Sequence, residues 1–114
     1  MLLKQIVEQL SLKVVSGENN LDIDVTDGCV SDILSDVMAK AARNSLWITN
    51  QTHENVIAIV YFKKLACVIL PGGLEPDAVA LQKAREKNIP VLLTNLSSFD
   101  IGGELYRLGI RGKK

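Results

Sequence analysis

The sequence predicts an α/β fold, a small layered sandwich with a largely parallel sheet and helices on both faces, and assigns residues 1–114 to a single domain. Three observations carry this. Residues 66–70 (Ala-Cys-Val-Ile-Leu) are a continuous apolar run stopped by Pro71-Gly72-Gly73, the pattern of a buried strand. A helix-period segment with Pro76 in its first turn follows, and Pro90 introduces a second apolar run, Val91-Leu92-Leu93, so strand, helix and strand describe a right-handed parallel crossover. Finally, 114 residues at 47% hydrophobic suffice for one substantial core and are too few for two ordinary domains.

Each element has its own justification. In residues 2–12, Leu3, Ile6, Val7 and Leu10 recur at helical spacing, as a short covering helix requires. Residues 12–15 form a brief strand, and Ser16-Gly17-Glu18-Asn19-Asn20 is a turn cluster. Residues 21–25 alternate apolar and acidic side chains, as an exposed edge strand or an extended connection does, with Asp22 and Asp24 as solvated acids on one side. Cys29 and Val30 are expected to enter the core, and Ser31 or Asp32 to cap a helix whose apolar face is Ile33, Leu34, Val37 and Met38. Residues 46–49 are the next strand, with Trp47 either filling core volume, the favoured reading, or lining a partner surface.

The polar residues 50–55 turn the chain into a helix expected to be capped by Thr52, and Val56, Ile57, Ile59, Val60 and Phe62 make it apolar on more than one side. Lys63-Lys64 suits its negative end. In the central crossover, Glu75 precedes the helix and Ala78, Val79, Leu81 and Ala84 supply its apolar face, with Asn88 as a left-handed terminator. Ser97 or Ser98 caps the last helix, residues 99–108, with Phe99, Ile101, Leu105 and Leu108 inward. Gly102-Gly103 inside it implies either close backbone contact or a late start, Gly109 ends it, and residues 111–114 form a solubilising basic tail.

Thirteen basic and thirteen acidic residues cancel, which removes any broad electrostatic reason to expect nucleic acid or an anionic membrane. Cys29 and Cys67 sit in apolar settings that suit reduced thiols, and with no signal-peptide pattern the expected location is cytoplasmic. No apolar run approaches membrane-spanning length. The chemistry is sparse. Pro71-Gly72-Gly73 lacks the spacing and the lysine of a triphosphate-binding loop, although two glycine N–H groups near a helix start would suit a phosphate or carboxylate. His53 is the only histidine, so no metal site and no cofactor is expected.

Polar residues collect at the ends of the expected strands. Thr49 is followed by Gln51, Thr52 and His53, Leu70 by Gly72 and Gly73, and Thr94 by Asn95 and Ser97; Ser31 and Asp32 join them if Cys29-Val30 is a strand. In parallel α/β folds such exits share one rim, where ligands bind. These ten residues, from Ser31 and Asp32 to Asn95 and Ser97, are the candidate ligand-binding set; none is assigned as catalytic.

The segments Val30-Ser31-Asp32-Ile33-Leu34-Ser35-Asp36-Val37-Met38, Trp47-Ile48-Thr49-Asn50-Gln51-Thr52-His53, Val68-Ile69-Leu70-Pro71-Gly72-Gly73-Leu74-Glu75-Pro76-Asp77 and Ile89-Pro90-Val91-Leu92, in this order and spacing, resemble the DRTGG domain family, which is similar to the N-terminal domain of HPr kinase/phosphorylase. The resemblance covers nearly the whole chain. Pro71-Gly72-Gly73 matches the end of the motif that names the family, and the Asp-Arg-Thr before it is absent. Family members are small α/β domains, often attached to a phosphotransacetylase or to regulatory modules of a pyrophosphatase. The resemblance implies a non-catalytic regulatory, ligand-sensing or interaction domain for a small anionic metabolite, a nucleotide or a partner regulatory protein, and it carries over no kinase activity. The alternative is a small hydrolase or group-transfer enzyme built on Ser31, Asp32 and His53. A homodimer is expected, through the apolar helix at residues 56–62 or through an exposed sheet edge such as residues 21–25.

Overall fold

The computed structural model describes residues 1–113; Lys114, the end of the basic tail, lies outside the described residues. The elements run α1 (Leu3–Leu10), β1 (Lys13–Ser16), β2 (Gly28–Val30), α2 (Leu34–Lys40), β3 (Leu46–Ile48), α3 (Glu54–Lys63), β4 (Cys67–Leu70), α4 (Ala78–Glu86), β5 (Val91–Leu93) and α5 (Ser98–Arg107). The sheet order is β1-β5-β4-β3-β2. β2, β3, β4 and β5 are mutually parallel, and β1 closes the far edge antiparallel to β5, with Lys13 opposite Leu93.

Each strand from β2 to β5 pairs with its successor, so every right-handed crossover advances in the same direction and deposits its helix on the same face. Alternation along the strands divides the core accordingly. Trp47, Val68, Leu70, Val91 and Leu93 pack under α2, α3 and α4, whereas Leu46, Ile48, Cys67, Ile69 and Leu92 meet α1 and α5. Helices therefore cover both faces, as expected. Trp47 is fully buried, and its indole Nε1 donates to the Ser31 carbonyl at 2.9 Å, so its one polar group is satisfied inside the core.

Cys29 lies on the α2–α4 side of the sheet and Cys67 on the other, with β3 between their strands. Their side chains point apart across the sheet, which forbids a disulfide. Burial, with Asp27 nearby, pushes the Cys29 thiol up to about 11, and burial also pushes the Cys67 thiol up, so both are protonated and unreactive at neutral pH.

Several expected contacts are relocated. Of the two readings of residues 21–25, the extended connection is the one observed, held by Leu3 N–H and Lys4 N–H donating to the Ile23 and Leu21 carbonyls and by a single bridge between Leu2 and Asp24. Asp22 and Asp24 pair with Lys4 and the N-terminal ammonium. On α2 only Val37 is fully buried. Ile33 occupies the extended N-cap position ahead of the first turn, and together with Met38 it faces outward. Val30 is likewise outside, on the free edge of the sheet. The apolar stretch of α3 is satisfied within the chain by burial of Val56, Ile57, Ile59 and Val60, whereas Phe62 is 72% exposed. It follows Val60 by two residues and so lies about 200° around the helix from it.

α4 begins at Ala78, later than Pro76 suggests, because Asp77 is held extended by its N–H bond to the Thr52 carbonyl. Its packed face is Ala80 and Ala84, and Val79 points outward. In α5, Ile101 and Leu105 are buried, and Phe99, in the first turn before the helix meets the sheet, is 88% exposed. Gly102 and Gly103 are both helical and a methyl group on either would meet nothing within 4 Å, so neither expected reason for them applies within this chain.

Candidate functional site

The carboxyl ends of β2, β3, β4 and β5 share one rim, and the polar residues named from the sequence all stand on it or on the loops just beyond. They fall into two groups. In the first, Asp32 is the hub: its Oδ1 accepts from Thr49 Oγ1 at 2.9 Å and from Asn50 N–H at 2.7 Å, and its Oδ2 from Asn50 Nδ2 at 3.0 Å. Gln51 Nε2 reaches the Asp32 carbonyl at 3.4 Å, and Gln51 N–H donates to Thr49 Oγ1 at 3.2 Å. These bonds clamp the loop after β2 to the loop after β3. The Asn50 backbone and side-chain donors, assisted by Thr49, hold the Asp32 carboxyl below the usual carboxylate range against a smaller opposing effect of burial. Ser31 contributes a local turn, its Oγ accepting from Ile33 N–H at 3.1 Å.

Thr52 does not cap α3. Its Oγ1 donates to Asp77 Oδ1 at 2.9 Å, tying the loop after β3 to the start of α4, and the N-cap passes to His53, whose Nδ1 accepts from Asn55 N–H at 3.2 Å. In the second group the loops after β4 and β5 are zipped together. Gly72 N–H donates to the Leu96 carbonyl at 2.7 Å and Gly73 N–H to the Thr94 carbonyl at 3.0 Å, while Leu96 N–H donates to Thr94 Oγ1 at 3.2 Å. Both glycines have positive φ, 66° and 78°, which fits them for this turn. Their amides are therefore engaged by carbonyls, and α4 starts five residues beyond Gly73, so the expected anion cradle of glycine N–H groups at a helix start is not formed. Beside this turn is a cleft of about 320 Å³ lined by Lys13, Gly73, Glu75, Thr94, Asn95 and their neighbours. Ser97 stands apart from it as the N-cap of α5, accepting from Asp100 N–H.

Over residues 5–108 the sequence matches the DRTGG domain. The chain belongs to the DRTGG domain family. Its fold is similar to the solved structure of the CBS and DRTGG domains of the regulatory region of Clostridium perfringens pyrophosphatase, complexed with the activator diadenosine tetraphosphate, with a TM-score of 0.70 at 19% identity. That likeness covers 89% of this chain and 44% of the other, so the DRTGG domain described here spans less than half the length of the chain it matches. No curated protein matches the sequence.

In this DRTGG domain Ser31 Oγ, the Asp32 carboxylate and His53 Nδ1 each have partners other than one another. Among the described residues His53 makes no hydrogen bond to Ser31 or Asp32. Among the described residues no three His, Cys, Asp or Glu side chains are grouped as metal ligands, and no helix is long and apolar enough to cross a membrane. Sequence reasoning missed Asn50, the main donor to Asp32, and Lys13 and Asp77. Asn50 directly follows Thr49 in the same polar exit, so adjacency was its signal. Lys13 reaches the rim only because β1 pairs with β5, which no local pattern announces.

Proposed function

We propose that this DRTGG domain is a non-catalytic regulatory module that senses a small anionic metabolite or nucleotide at the cleft beside Gly73 and Asn95. One observation carries the reading: the rim divides into a self-satisfied half and an open half. The Ser31, Asp32, Thr49, Gln51 group spends its polar atoms on holding two loops together, which is a structural use of groups that a hydrolase would need free. In the open half, Lys13 and Asn95 have no side-chain hydrogen bond or ion pair among the described residues, so a cation and an amide are available to a ligand. The likeness to the regulatory region of a pyrophosphatase supports a regulatory role in preference to a catalytic one.

Amide chemical shifts recorded against inorganic phosphate, acetyl phosphate and nucleotides, with turnover followed in the same tubes, test this. The expected result is a footprint at Gly73, Thr94 and Asn95 with no product, weakened at least several-fold by Lys13→Gln. Turnover abolished by His53→Ala would establish the hydrolase or group-transfer alternative instead.

A further inference from the structure

The opposite end of the sheet carries a second concavity, unrelated to the rim. The turns that lead into β3, β4 and β5 enclose a cleft of about 540 Å³, within the range of small-molecule sites. Its floor is apolar, including Val60, Leu65 and Ile89, and its wall carries Arg43, Lys64 and Lys87 with the amides of Asn20 and Asn44. Tyr61 and Phe62 stand at its mouth. The lining contains no acid.

Two features set this cleft apart from an ordinary solvated edge. Helices α2, α3 and α4 all end at this end of the sheet, and basic residues at helix ends ordinarily answer the negative end of the macrodipole, worth about half a charge per helix. Three full cations exceed the charge that three such ends present. The end carbonyls are also satisfied already: Val60 and Tyr61 accept from Leu65 and Lys64 N–H, Ala84 and Arg85 accept from Ile89 and Asn88 N–H, and the Asn88 carbonyl accepts from Asn20 Nδ2. Among the described residues Arg43, Lys64 and Lys87 take part in no ion pair. The second feature is aromatic. The Lys87 ammonium sits 4.3 Å from the Tyr61 ring centroid, and Phe62, in the same lining, is largely exposed to solvent.

Cations without carboxylate partners beside an exposed ring, over an apolar floor, match a compound that is anionic at one end and flat and aromatic at the other. We propose that this cleft is a binding site for a phosphorylated aromatic ligand of the nucleoside diphosphate class, with the phosphates on Arg43, Lys64 and Lys87 and the base against Phe62. A small molecule fits better than a nucleic-acid strand, because the balanced net charge provides no basic track beyond the cleft.

The test is an amide-shift titration with ADP, adenosine and pyrophosphate. ADP is expected to shift Asn20, Asn44, Tyr61 and Lys64 and to bind at least about tenfold more tightly than either fragment. Arg43→Gln and Lys87→Gln should each weaken ADP about tenfold, and Phe62→Ala by a similar factor. All three side chains are solvent-exposed, so the variants should keep the dispersed spectrum of the folded chain. No shifts at millimolar ADP, shifts confined to Gly73, Thr94 and Asn95, or unchanged affinity in Arg43→Gln would overturn the site. Pyrophosphate binding as tightly as ADP, with Phe62→Ala silent, would overturn the aromatic half of the assignment. Because the rim and this cleft lie at opposite ends of the sheet, the footprint separates failure here from failure of the rim reading.

Discussion

Asp32 joins two loops with a single side chain. Three donors converge on its carboxylate, so removing it frees the loops after β2 and β3 together and leaves the hydroxyl of Thr49, itself buried, without an acceptor. Asp32→Ala is expected to destabilise the fold by about 1 kcal/mol, no more because the carboxylate is itself exposed and water competes for it. Urea unfolding of the variant beside the parent measures this. The pH dependence follows from the direction of the shift. With a folded pKa below the ordinary 3.8, the carboxylate contributes fully above that value, and the contribution is lost as pH falls through the folded pKa. Acid should therefore loosen this clamp and mild base should not, and the difference in stability between parent and Asp32→Ala should shrink below about pH 4.

At the scale of the elements, the crossover was the most legible part of the sequence. Strands buried on both faces read as unbroken apolar runs, so β4 and β5 were visible as residues 66–70 and 91–93, against Cys67–Leu70 and Val91–Leu93 in the structure, with Asn88 recognisable as the left-handed residue between α4 and β5. Helix faces were harder: α2 has only two turns, too few residues to distinguish a packed stripe from a cap, which is why Ile33 was misread, and Phe99 was misread because it lies in the first turn of α5, before that helix meets the sheet. The direction of β1 left no local trace, since alternation does not name a partner. At the rim, residue types and location were legible, but their hydrogen bonds to one another were not, and those bonds separate a clamp from an open site.

Glycines at this scale give opposed expectations. A methyl group at Gly17 would lie 2.4 Å from the Pro90 nitrogen, with φ at 78°, so Gly17→Ala should disrupt the β1–β5 edge and cost several kcal/mol. Gly102→Ala and Gly103→Ala, in a helix with free space around both, should each stabilise by about 0.5–1 kcal/mol. Thermal unfolding of the three variants would show the opposite signs.

For the whole molecule, the apolar face of α3 is used up internally, which leaves for self-association the Val30 end of the β2 edge, since Gly28 N–H already donates to the Arg111 carbonyl. Asp27 C=O and Ser31 N–H face β3, so the backbone groups of Val30 between them face outward, beside the exposed side chains of Val30 and Ile33. A homodimer through this edge is the expectation, and light scattering across the micromolar range should report it, with Val30→Asp returning the chain to monomer. A monomer at every concentration would reject it. The pairing of β1 with β5 has a further consequence, for the order of events during synthesis. The strand made first finds its only neighbour among the last made, and α1 beside it packs in the same core as Ile101 and Leu105 of α5. As the chain leaves the ribosome, β2 to β4 can pair in sequence while the N-terminal segment waits with its apolar face uncovered, so the nascent protein is most exposed to misassociation just before β5 emerges.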